Sequence, residues 1–101
     1  MHIHTVFFWL KPGLDEEQIV RFEDGLRLLM TCRTVKDGYW GKPADTHREV
    51  VERSYSYGIT LFFDTLAEHN AYQQDEDHLR FIERCSALWE RVRVFDVQTG
   101  N

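Results

Sequence analysis

Tyr55-Ser56-Tyr57-Gly58-Ile59-Thr60-Leu61-Phe62-Phe63 decides the fold. A strand turns alternate side chains to one face, and here that face would carry Tyr55, Tyr57, Ile59, Leu61 and Phe63, all aromatic or branched. The stretch predicts a strand with one wholly apolar face and Gly58 on the other. Directly after it, Asp64-Thr65-Leu66-Ala67-Glu68 offers Thr65 as an N-cap, with Glu68 at capping-box spacing. A short helix should follow and run to about Tyr72 or Gln73.

Working outward, residues 2 to 10 also alternate, yet both faces are largely apolar: Ile3, Phe7 and Trp9 on one, Val6, Phe8 and Leu10 on the other. Such a strand needs cover on two sides. Lys11-Pro12-Gly13 breaks it, and Asp15 with Gln18 forms a second capping box. The helix it opens is expected to reach about Met30, with Ile19, Phe22, Leu26, Leu29 and Met30 as its apolar stripe. Gly25 interrupts that helix at a cost of about 1 kcal/mol relative to Ala, which predicts a close approach by another element.

A second strand is expected over Thr34 to Trp40, followed by a long exposed connection from Gly41 to Arg53. Another helix should start near Asp75 to Asp77 and extend through Trp89, burying Leu79, Ile82, Cys85, Leu88 and Trp89. Arg91 to Val97 reads as the last strand. The order strand, helix, strand, strand, helix pair, strand is that of a ferredoxin-like α+β domain, βαββαβ with an antiparallel four-stranded sheet. Helices cover one face of such a sheet only. The other apolar face predicts a second copy of the chain packed sheet to sheet, a homodimer.

The chain has 101 residues, 43% of them apolar and 14% aromatic, enough for one domain with its own core. Its charge of −5, from 12 basic and 17 acidic residues, lacks the basic footprint of a nucleic-acid binder. No apolar run approaches roughly 18 residues, so no membrane span is expected. The first residues have neither a charged leader nor a small-residue cleavage site, and the expected location is cytoplasmic. Cys32 and Cys85, distant and outside any ligand spacing, read as reduced, partly buried thiols that serve as small hydrophobes.

For chemistry the best candidates are Tyr72 and His78, a phenol and an imidazole at the junction of two helices. Imidazole, with an ordinary pKa near 6.5, can serve as base or acid at neutral pH. A tyrosine hydroxyl can hold a developing oxyanion. His2 and His4 share a strand face, a start for a metal site, but no carboxylate or cysteine at matching spacing completes it. No metal and no cofactor are therefore expected. His47 and His69 read as solvent-facing. Asp96, interrupting an apolar strand, reads as a partner for a backbone amide or a histidine. Tyr55 and Tyr57 read as a packed strand face. Trp9, Trp40 and Trp89 suit core or interface more than a pocket wall.

Along almost its whole length the chain resembles the stress-responsive A/B barrel (Dabb) family of small dimeric α/β barrels. The resemblance rests on His4 before an apolar strand, Tyr39-Trp40-Gly41 after the first helix, Phe63-Asp64, Tyr72 with His78, and Phe95-Asp96. It implies one domain of this type over residues 1–101. The family includes a plant polyketide cyclase that closes a linear chain by an aldol-type reaction without metal or organic cofactor. By that likeness His78 would be the general base or acid, Tyr72 would hold a carbonyl or enolate oxygen, and His4 would be a further pocket residue. Tyr57 stands where the cyclase has a histidine, and Gln73-Gln74-Asp75-Glu76-Asp77 lacks the proline common in relatives. The implied function is acid/base chemistry on a carbonyl compound in a pocket of His78, Tyr72, His4 and Tyr57, with a small apolar or aromatic ligand. The alternatives are a non-catalytic stress-related or ligand-binding dimer, and a cofactor-free monooxygenase.

Overall fold

The computed structural model describes residues 1–100. Its elements are β1 (His2–Leu10), α1 (Glu16–Met30), β2 (Asp37–Gly41), β3 (Tyr57–Phe63), α2 (Leu66–Gln73), α3 (Glu76–Cys85) and β4 (Trp89–Gln98), with one 3₁₀ turn, Ser86–Leu88, between α3 and β4. The strands form one antiparallel sheet in the order β2-β3-β1-β4. This is the ferredoxin-like βαββαβ arrangement that the sequence predicts.

The caps follow the sequence closely. Asp15 accepts from the Gln18 amide at 2.8 Å and Gln18 accepts from the Asp15 amide at 2.9 Å, closing the box that starts α1. Thr65 accepts from the Glu68 amide at 3.1 Å, but among the described residues the Glu68 side chain makes no return bond to the Thr65 amide, so only half of the expected box forms. Asp75 caps α3 by accepting from Asp77 at 2.8 Å.

One face of the sheet meets the helices. Phe22 and Leu26 of α1 meet Val6 and Phe8 of β1, Tyr57, Ile59, Leu61 and Phe63 of β3, and Tyr72, Phe81, Cys85 and Leu88 in a single buried core. The Gly25 reading is met: a methyl group there would lie 2.8 Å from Cys85 Sγ and 2.8 Å from a Phe81 ring carbon, so its absence lets α1 and α3 close together.

Three expectations need correction. β2 starts at Asp37, because the chain from Thr31 to Thr34 is still turning out of α1 and Val35 bonds back to Cys32 at 3.0 Å. Tyr55 does not share a face with Tyr57; the residues before Tyr57 leave the pleat, and Tyr55 packs on Phe7 with ring centroids 4.7 Å apart, on the face away from the helices. The last helix does not reach Trp89, which opens β4. Its inward side carries Phe81 and Cys85, while Leu79 is 53% exposed and Ile82 39% exposed.

Among the described residues no helix covers the outer face of the sheet, where Tyr55 packs on Phe7. Register places Ile3, Thr5, Phe7 and Trp9 beside Val97, Phe95, Arg93 and Arg91 on one flank, and Ile3, Thr5 and Phe7 beside Phe62, Thr60 and Gly58 on the other. Phe95 and Val97 are half exposed.

Candidate active site

The antiparallel register sets the site. His2, His4, Val6 and Phe8 point to the helix side of β1, and Asp96 lies directly across from His4 on β4. Above them α2 turns His69 and Tyr72, three residues apart, toward the sheet. α3 brings His78 into line with Phe81, again at helical spacing.

These elements form a partly open cavity of about 210 Å³, lined by His4, Tyr72, Gln73 and His78 among apolar side chains that include Val6, Phe8, Ile59, Phe81 and Trp89. The Tyr72 and His78 rings meet edge to face at 4.8 Å, and Tyr72 meets His4 in the same way at 5.9 Å. Four larger hollows, of about 390, 360, 530 and 400 Å³, lie on the surface of α1 and α3 and, for the last, on the outer sheet face, and no histidine lines any of them.

Burial decides the protonation states. His78 is lowered from its usual pKa chiefly by burial, then by the charges of His4 and His69, with Asp75 partly offsetting. Its Nδ1 is buried with no hydrogen-bond partner among the described residues. His4 is lowered by burial too, against the opposing pull of its hydrogen bond to Asp96. Tyr72 is raised, first by burial and then by Cys32 and Asp75. At neutral pH the cavity therefore presents two neutral imidazoles and an un-ionised phenol.

Asp96 orients the histidines. Its Oδ1 accepts from His4 Nδ1 at 2.6 Å and from His2 Nε2 at 3.0 Å. Burial pulls the Asp96 carboxyl upward, but these hydrogen bonds and the nearby imidazoles outweigh it and hold it below the usual carboxylate value. With Nδ1 donating to Asp96, His4 keeps Nε2 for the cavity.

Of the four residues that sequence reading assigns to a pocket, the cavity gathers His78, Tyr72 and His4. Tyr57 lies apart: it is buried, its hydroxyl donates to Glu23 at 2.5 Å, and its ring packs on Phe22 and Trp40. His69 is not solvent-facing as expected but 8% exposed, its ring centroid 4.2 Å from that of His2 and 4.8 Å from that of His4. The missed signal is the spacing of three between His69 and Tyr72, which puts them on one helical face. Sequence spacing offers no carboxylate or cysteine to the pair His2 and His4, but the fold brings His69 and Asp96 beside it. A second grouping, Cys32 with Asp75 and Asp77, is occupied by structure: Asp75 caps α3, and burial, reinforced by the two carboxylates, pushes the Cys32 thiol up to about 12.

The profile of the Stress responsive A/B Barrel Domain, or Dabb, matches residues 3–99. The chain belongs to this family. No curated protein matches the sequence. Among solved structures, this Dabb chain is similar to the Arabidopsis thaliana protein At3g17210, at 20% identity and a TM-score of 0.80 over 100% of this chain and 97% of that one. It is also similar to a dimeric ferredoxin-like protein of unknown function from Thermobifida fusca, at 14% identity and a TM-score of 0.77 over 97% and 90%. A third is a hydroxynitrile lyase from Passiflora edulis, at 20% identity and a TM-score of 0.77 over 95% and 90%. At these identities the likeness establishes the shared fold.

Proposed function

We propose that this Dabb chain is a cofactor-independent acid/base enzyme acting on a small carbonyl compound, and that it works as a homodimer. The observation that carries the reading is the 210 Å³ cavity, in which His4, Tyr72 and His78 are the titratable groups of an otherwise mainly apolar wall. That volume is below the roughly 300–1,000 Å³ of sites for drug-sized ligands, which favours a short ketone or diketone.

In the proposed step a ring nitrogen of neutral His78 takes a proton from the carbon beside the carbonyl. The C–H electrons pass into the enolate, whose oxygen accepts a hydrogen bond from the Tyr72 hydroxyl. The imidazolium then returns its proton to carbon. In a cyclase-like reaction the enolate carbon instead bonds to a second carbonyl carbon of the same molecule, and the proton goes to the new alkoxide. His4, whose Nδ1 donates to Asp96, presents its Nε2 lone pair to the cavity as an acceptor for a substrate hydroxyl. A filled interior at His78 would favour a non-catalytic dimer, whereas the cavity supports a reading in which a small molecule is bound there.

The homodimer reading rests on the uncovered face of Ile3, Phe7, Phe62, Phe95 and Val97, an apolar patch of the sort that marks an interface. The dimeric Thermobifida fusca relative is in keeping with it. The test of catalysis is deuterium uptake from D2O into a panel of short ketones and diketones. Exchange catalysed by the wild type and lost in His78→Ala is expected; equal exchange by both for every accepted compound sinks the proposal.

A further inference from the structure

We propose that His2, His4, His69 and Asp96 bind one divalent transition-metal ion of the Zn2+ type between β1, α2 and β4. The site goes beyond the proton-transfer reading, whose chemistry needs no ion, so either can fail without the other.

One ligand atom from each of the four side chains lies within 4.8 Å of all the others. A tetrahedral ion with bonds of about 2.0–2.1 Å needs its ligands roughly 3.3 Å apart. From Asp96 Oδ1 the distances to His4 Nδ1, His2 Nε2 and His69 Nε2 are 2.6, 3.0 and 3.9 Å, values that bracket this spacing. Side-chain shifts of roughly 1–1.5 Å would bring the set to tetrahedral geometry.

The tautomers favour a cation as well. His69 Nδ1 lies 3.2 Å from the Asn70 side-chain oxygen, which can only accept, so Nδ1 carries the proton and Nε2 presents a lone pair. That lone pair faces the Asp96 carboxylate across 3.9 Å, with only the Gln73 amide nitrogen, at 3.4 Å, to satisfy it. Two acceptors opposed beside three buried imidazoles are an arrangement that a positive ion relieves. Asn70 would meanwhile act as the outer partner that fixes a ligating imidazole. His2 and His4 bind by moving their ring proton to the other nitrogen, with no change of charge.

Three imidazoles with one carboxylate suit Zn2+, Co2+ or Ni2+ and are a poor match for Mg2+ or Ca2+, which take oxygen ligands. His2, His4 and His69 are buried, while the Asp96 side chain is 41% exposed and offers the way in. His2 does not line the cavity, so the proton-transfer chemistry does not account for its burial. An ion here would fasten the short helix α2 to the sheet.

The test uses the full, untagged chain stripped with a chelator. It is titrated with Zn2+ against a chromophoric competitor and with Co2+, whose visible bands report tetrahedral coordination. One ion per chain is expected, bound roughly 10–100-fold more weakly, or worse, in His69→Gln and Asp96→Asn. His47→Ala, which removes the exposed histidine beside Asp45, should bind as the wild type does. Circular dichroism shows whether each variant keeps the fold, and saturating Zn2+ should raise the unfolding temperature of the wild type but not of His69→Gln. Absence of stoichiometric binding to the wild type overturns the proposal. So does binding lost in His47→Ala and kept in His69→Gln.

Discussion

Burial acts in opposite directions on the paired side chains Tyr72 and His78, raising the phenol and lowering the imidazole, so that each is neutral where its proposed role needs it. Removing the base in His78→Ala should lower turnover of an accepted ketone by about 10²–10⁴-fold. Tyr72→Phe keeps the ring in the core and deletes one donor; a loss of kcat of about 10²–10³-fold, with KM little changed, is the expected kinetic result. A pure rise in KM would instead make Tyr72 a binding residue. The pair was legible in the sequence because both residues sit at a helix junction and resemble a family motif. Asp96 and His69 were not legible as partners of His2 and His4: Asp96 lies 94 and 92 residues from them, and only strand pairing brings it across from His4.

Among the elements, the strands were easiest to read, since alternation in β1 and β3 is strong and caps mark the starts of α1, α2 and α3. The phase of α3 was not. Cys85 and Leu88 are buried as expected, but Leu79 and Ile82 stay exposed and Phe81 turns inward instead, where Gly25 leaves room for it and Cys85 against α1. That phase also carries His78 to the cavity. Gly25→Ala therefore sets a small gain in helix propensity, about 1 kcal/mol, against overpacking that typically costs about 1–3 kcal/mol. Net destabilisation, read as a lower midpoint in urea with unchanged slope, is the expected outcome. A more stable variant would show that the α1–α3 contact is slack.

For the whole molecule, the open sheet face and the two lowered histidines make separate statements. A homodimer should give twice the chain mass by light scattering at micromolar concentration, and Phe95→Arg should return it to the monomer; a wild-type monomer would remove that part of the account. For stability against pH the sign follows from proton counts. His4 and His78 titrate lower in the folded state than the roughly 6.5 of the unfolded chain, so below that pH the unfolded state binds more protons. Stability should hold above about pH 6.5 and fall as the pH drops below it, with Asp96 adding a further loss at strongly acid pH, where its depressed carboxyl is protonated. An unfolding midpoint flat from pH 7 to pH 5 would contradict these histidine assignments. The most direct test of the central claim, that this cavity performs proton transfer through His78, is the rate of deuterium exchange into an accepted ketone as a function of pH. The account predicts a rate that rises through a pKa below the ordinary histidine value, levels off near neutrality, and collapses in His78→Ala. Wild-type and His78→Ala profiles that superimpose across the whole range would contradict it.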